Sequence, residues 1–141
     1  MKRLNKILLI DDSESDNFVH QRLLKKENIT KEIVVKYSGE EALQYLSTII
    51  EKSYPKPDLI FLDINMPGMN GWDFLDEYEK LDIEQKGGIV ITMLTTSSSE
   101  EDKIRASQNP NINRFENKPL TKKRLYDILE KHFPDRFSEN D

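Results

Sequence analysis

Short, unbroken apolar runs separated by helix-like stretches constrain this chain more than any other feature. Ile7-Leu8-Leu9-Ile10, Leu59-Ile60-Phe61-Leu62 and Ile89-Val90-Ile91-Thr92-Met93-Leu94 place apolar residues on both faces of any strand they form. That is the pattern of strands buried from both sides, as in a parallel sheet covered by helices. Ile33-Val34-Val35 and Ile112-Asn113-Arg114-Phe115 are shorter or more polar and suit the edges of the same sheet.

The intervening stretches carry helical spacing and start signals. Ser15 or Asp16 is expected to cap a helix carrying Phe18, Val19, Leu23 and Leu24. Ser38 or Gly39 opens a second, with Ala42, Leu43, Leu46 and Ile50 on one face and its end at Tyr54-Pro55-Lys56-Pro57. Trp72 to Lys80 forms a third, with Trp72, Leu75 and Tyr78 at spacings of three. Ser98 or Ser99 caps a fourth, whose first turn holds Glu101 and Asp102, and Thr121 caps a fifth with Leu125, Ile128 and Leu129 inward.

A strand followed by a helix, five times over, predicts an α/β doubly wound parallel sheet with helices on both faces. With the two weaker strands at the edges, the expected order is 2-1-3-4-5, the flavodoxin-like arrangement. The 141 residues suffice for one domain with a real core. Residues 1–133 are read as that domain and 134–141 as a short polar C-terminal tail, too small for an output domain.

Composition excludes several classes. The chain has no cysteine, so neither a disulfide scaffold nor a thiolate metal site is available. No apolar run approaches the ~20 residues of a membrane helix, and the run after Lys6 is too short for a secretory signal. A cytoplasmic protein with no membrane partner is expected. The net charge of −5 argues against nucleic acid. Lys25-Lys26 and Lys122-Lys123-Arg124 read as solvated helix faces.

In a doubly wound sheet, ligands bind beyond the carboxyl ends of the strands, where the strand order switches. Asp11 and Asp12 follow the first strand, Asp63 the third, Thr95 the fourth, and Lys118-Pro119 the fifth. Three acids, a hydroxyl and an amine therefore converge on one crevice. Oxygen-only ligands without His or Cys point to Mg²⁺, with Mn²⁺ as the alternative. Three carboxylates, one divalent cation and one ammonium sum to near-neutrality, which tolerates an incoming phosphoryl group. An ionised carboxylate can itself be the nucleophile, with metal, lysine and hydroxyl spreading the transferring charge.

The ordered motifs Ile7-Leu8-Leu9-Ile10-Asp11-Asp12, Asp63-Ile64-Asn65-Met66-Pro67-Gly68-Met69-Asn70-Gly71, Leu94-Thr95-Thr96-Ser97 and Phe115-Glu116-Asn117-Lys118-Pro119 resemble the receiver domains of two-component response regulators. The resemblance spans residues 4 to 133 and implies a stand-alone, chemotaxis-regulator-like member. On this resemblance, Asp63 is the phosphoacceptor and Asp11 and Asp12 bind metal together with the Asn65 backbone carbonyl. Lys118 pairs with the phosphoryl oxygens, and Thr95 and Phe115 form a switch. The bond before Pro119 is implied to be cis. Asn65 and Ser97 stand where the family tunes dephosphorylation, and Thr96 stands where a smaller residue is common.

The resemblance further implies a sensor histidine kinase or phosphotransfer protein as donor. A downstream protein would bind the face of helix 4, strand 5 and helix 5, and catalysis would extend no further than the domain's own phosphorylation and dephosphorylation. Two alternatives remain at this level. A haloacid-dehalogenase-like phosphatase needs a second Asp two residues after the nucleophile, where this chain has Asn65. A phosphorylation-independent binding module needs only the fold. No G-x-G-x-x-G or P-loop is present. His20 and His132 are expected at the surface or at helix ends, and Trp72 in packing.

Overall fold

The structure is a computed structural model and describes residues 2–137. Its strands are β1 (Leu4–Ile10), β2 (Thr30–Lys36), β3 (Leu59–Leu62), β4 (Val90–Thr95) and β5 (Arg114–Asn117). They form one parallel sheet in the order β2-β1-β3-β4-β5. The strands with continuous apolar runs, β1, β3 and β4, occupy the middle, because only there are both faces of a strand covered.

Alternating side chains divide between two cores. Leu8, Ile10, Ile60, Leu62, Ile91 and Met93 pack on one face against helices α2 (Gly39–Leu46), α3 (Gly71–Glu79) and α5 (Glu100–Gln108). Ile7, Leu9, Leu59, Phe61 and Leu94 pack on the other against α1 (Glu14–Glu27) and α6 (Lys122–His132). Each fully buried Leu or Ile contributes roughly 1.5–3 kcal/mol, so these two layers set the strand register.

Each long helix begins at a side-chain cap. Ser13, Ser38, Asn70, Ser99 and Thr121 each accept a hydrogen bond from the backbone N–H three residues on. Asn70 and Asp73 complete a reciprocal capping box. Among the described residues there are six helices rather than the expected five, the addition being the four-residue α4 (Ile83–Lys86). No helix of the described residues is long and apolar enough to cross a membrane.

Four expectations are corrected. Helix α1 starts at Glu14 behind Ser13, ahead of the expected Ser15 or Asp16 cap. This phase turns Phe18 (65% exposed) and Val19 (48% exposed) outward and buries Asn17, His20 and Leu24. The helix begins where the Ser13 side chain accepts from the Asp16 N–H, and the stripe it packs inward is Asn17, His20 and Leu24, at i, i+3 and i+7. The second helix stops at Leu46, well short of Pro55, and Ile50 is exposed in an isolated bridge with Ser53.

The fourth correction concerns the polar tail expected from Pro134. Residues 134–137 instead turn back onto the domain. Phe137 is buried in the α1/α6 core, its N–H donates to the Phe133 carbonyl, and the Arg136 carbonyl accepts from the Lys2 N–H. The rest of that expected tail lies outside the described residues.

Candidate functional site

Strand register brings the site residues level. Ile10 pairs with Leu62 and Leu62 with Met93, so Asp11 and Asp63 leave the sheet side by side. The Asp63 N–H donates to the Ile10 carbonyl at 3.0 Å, and the Asp11 N–H to the Lys36 carbonyl at 3.2 Å. Carboxylate oxygens of Asp11, Asp12 and Asp63 all lie within 4.8 Å of one another. Asp11 and Asp63 are buried and Asp12 is exposed, so the cluster opens to solvent on one side. An all-oxygen set of this spacing can hold a divalent cation.

Gly71 lets the following loop close on this cluster. Its N–H donates to the Ile64 carbonyl at 2.8 Å, and a Cβ there would stand 2.6 Å from the Asp63 carbonyl oxygen and 2.9 Å from Ile64 Cα. Only glycine permits that approach. Asn65 sits exposed in the same loop, two residues beyond Asp63.

Lys118 reaches the cluster from the end of β5, where the Lys118–Pro119 bond is cis. Its Nζ donates to Asp11 Oδ2 at 2.6 Å and to Asp16 Oδ2 at 2.8 Å, and stands 3.4 Å from Asp63 Oδ1. Burial raises the Asp63 carboxyl to about 6, Asp11 adds to the effect by repulsion, and Lys118 partly offsets it. Burial would lower the Lys118 ammonium, but its hydrogen bonds to Asp11 and Asp16 and the charge of Asp63 raise it above the usual lysine value. The crowded, partly desolvated acids therefore favour gaining positive charge, which is what a cation site requires.

Thr95 is fully buried at the end of β4, and its Oγ1 accepts from the Ser97 N–H at 3.2 Å. Its carbonyl accepts from the Lys118 N–H at 2.8 Å, and Asn117 Nδ2 donates to the Ser97 carbonyl at 2.9 Å. The loop after β4 is thus strapped to the residues that carry the lysine. Ser97 Oγ continues the strap to Asp102 on α5 at 2.6 Å. Thr96 is exposed. Phe115 is half-buried on β5 opposite Met93 and borders a groove of about 320 Å³ with Lys103, Ala106, Ile112 and Arg114.

Sequence reasoning missed the contribution of α1. Asp16, read there only as a cap, is a partner of Lys118. Asn17 Nδ2 donates to the Asp11 carbonyl at 2.8 Å, and His20 Nε2 accepts from the Leu120 N–H at 3.4 Å. Asn17 and His20 line a narrow cavity with Asp11 and Asp63. His20 is buried, contrary to the expectation of a surface residue, and burial followed by the charge of Lys118 lowers its pKa. The available signal was the helical spacing of Asn17 and His20 with Leu24, at i, i+3 and i+7. His132 is the last residue of α6, and the Trp72 ring is buried with the Arg105 guanidinium 4.5 Å above it. The basic runs at Lys25-Lys26 and Lys122-Lys123-Arg124 are exposed.

Comparison with known proteins gives the same outline. Residues 7–130 match the family model of the response regulator receiver domain. Response regulator Rcp1 of a Synechocystis strain is 32% identical over 126 residues, covering 88% of this chain and 83% of Rcp1. The crystal structure of a two-component response regulator from Cytophaga hutchinsonii superposes with a TM-score of 0.86 at 27% identity, covering 94% of this chain and 99% of that one. The Mn²⁺-bound form of Rcp1 superposes with a TM-score of 0.71 at 28% identity, covering 96% of each chain. With its five-stranded parallel sheet, its acidic crevice and a profile match across nearly its whole length, the chain belongs to the response regulator receiver domain family.

Proposed function

We propose that this receiver domain accepts a phosphoryl group on Asp63 and uses it to switch protein binding. The observation that supports this most directly is the convergence on one buried carboxylate of a lysine ammonium from β5 and two further acids from β1. Asp63 supplies the nucleophilic oxygen. It attacks phosphorus, a new O–P bond forms, and the P–N bond of a donor phosphohistidine breaks, its electron pair staying on the departing imidazole. The donor is then a sensor histidine kinase or a phosphotransfer protein.

Asp11, Asp12 and Asp63, with the Asn65 backbone carbonyl, would hold Mg²⁺, or Mn²⁺ in its place. When bound, the ion neutralises charge on the transferring oxygens. Lys118 orients those oxygens and balances their charge. Because Asp63 ionises near pH 6, it is mostly ionised at neutral pH and needs no separate base.

Thr95 would give up the Ser97 N–H and turn its hydroxyl to the phosphoryl group, drawing the loop before α5 inward. Phe115 would follow toward the space vacated. The two conformations then differ on the face of α5, β5 and α6, which is where a downstream protein would read the state.

The test is incubation with acetyl phosphate, with and without Mg²⁺, followed by intact mass measurement beside Asp63→Asn. The expected result is a labile phosphoryl adduct that needs both Mg²⁺ and Asp63. An adduct that persists in Asp63→Asn refutes the assignment. Absence of any adduct from acetyl phosphate or from a phosphorylated phosphotransfer protein favours a phosphorylation-independent binding module.

A further inference from the structure

We propose that Asp16 is a latch on Lys118: it holds the ammonium aside from Asp63, and an incoming phosphoryl group has to draw the lysine away from it. The inference deepens the phosphoacceptor reading above and rests on it. An ammonium has three N–H donors. Two of those on Lys118 are committed to hydrogen bonds with Asp11 and Asp16, at 2.6 and 2.8 Å, while Asp63 lies farther off at 3.4 Å. The lysine therefore rests nearest to the acids that do not receive the phosphoryl group.

Asp16 is free to play this part because its alternative role is already filled. A carboxylate at the third position of a helix can fold back to the N-cap N–H and close a capping box. Here the Ser13 N–H donates instead to Asp11 Oδ1 at 3.0 Å. The Asp16 carboxylate turns to Lys118, while its own N–H still caps the helix through Ser13 Oγ. The two arms of the latch are pinned to one another. Asn17 ties α1 to the Asp11 carbonyl, and His20 accepts the N–H of Leu120, two residues beyond the lysine.

The chemistry sets the sign. Asp16 adds a further carboxylate to the one ammonium, so it opposes an anion at Asp63 both by repulsion and by holding the lysine. Its side chain is 39% exposed, so it can leave Lys118 for water at modest cost. That is the property of a releasable contact rather than a fixed strut.

The experiment measures the dissociation constant of beryllium fluoride, a tetrahedral mimic of a carboxylate-bound phosphoryl group, on the full chain with Mg²⁺. The proteins are the wild type, Asp16→Asn, Asp16→Ala, Lys118→Met and the double variant Asp16→Asn with Lys118→Met. Freeing the lysine should tighten binding about three- to tenfold in both Asp16 variants. Against Lys118→Met only the smaller, purely repulsive part of that gain should remain, which separates a latch from a general charge effect. Unchanged or weaker binding in the Asp16 variants overturns the latch, as does an equal gain in the Lys118→Met background. If the wild type takes up no mimic, the phosphoacceptor reading falls and the latch with it. If the wild type binds and the Asp16 variants are unaltered, only the latch falls.

Discussion

Asp63→Asn should make the metal-free protein more stable, even though it removes the central residue of the site. In the unfolded chain the Asp63 carboxyl ionises near 3.8, and in the folded protein near 6, raised by burial and then by the charge of Asp11. Between these values the folded protein keeps a proton that the unfolded chain has lost. Stability therefore falls as pH rises through this window, and the full cost is present above about pH 6. Two pKa units at 1.36 kcal/mol each set that cost at about 2–3 kcal/mol at pH 7.

Asparagine has nearly the shape of the protonated acid and cannot ionise, so the variant escapes the cost. In EDTA at pH 7 its urea midpoint should rise correspondingly, and its melting temperature by about 5–10 °C. The advantage should shrink to about 1.5 kcal/mol at pH 5 and to under ~1 kcal/mol at pH 4. Adding Mg²⁺ should stabilise the wild type more than the variant and close the gap, because a bound cation is linked to the folded state alone. A variant that is less stable than the wild type at pH 7, or whose advantage does not change with pH, would refute the electrostatic account of the site.

Three further outcomes test the scaffold. Thr92 is fully buried in β4 and its hydroxyl finds no hydrogen-bond partner among the described residues, so Thr92→Val should stabilise by about 1 kcal/mol in chemical denaturation. Gly71→Ala should cost about 2–3 kcal/mol, since the added Cβ meets backbone atoms beside Asp63, and it should weaken Mg²⁺ binding measured by calorimetry. Phe137→Ala should cost about 3 kcal/mol if the turn after α6 is an integral part of the core, whereas a freely trailing segment would show no loss.

Much of this protein is decided by sequence. Runs such as Leu59 to Leu62 can be buried on both faces only in the middle of a parallel sheet, and that places their carboxyl ends together. Asp11, Asp12, Asp63 and Lys118 follow those ends directly, so their meeting needs no knowledge of side-chain packing. The caps at Ser38, Ser99 and Thr121 are likewise local, each a side chain satisfying an N–H three residues away.

Other features belong to tertiary structure. The face that α1 turns to the sheet is settled by what it meets there, since the helical repeat alone offers both the Phe18-Val19 side and the Asn17-His20-Leu24 side. Asn17 and His20 went inward because they meet the Asp11 carbonyl and the Leu120 N–H, groups distant in sequence or hidden in the backbone. Asp16 joined the site because Lys118 arrives from 102 residues away. Phe137 left the expected tail because an apolar surface between α1 and α6 was there to receive it. Local spacing determines where strands end and helices begin. Which polar residue finds a partner across the fold depends on the relative placement of elements, and that is decided only when the two cores pack.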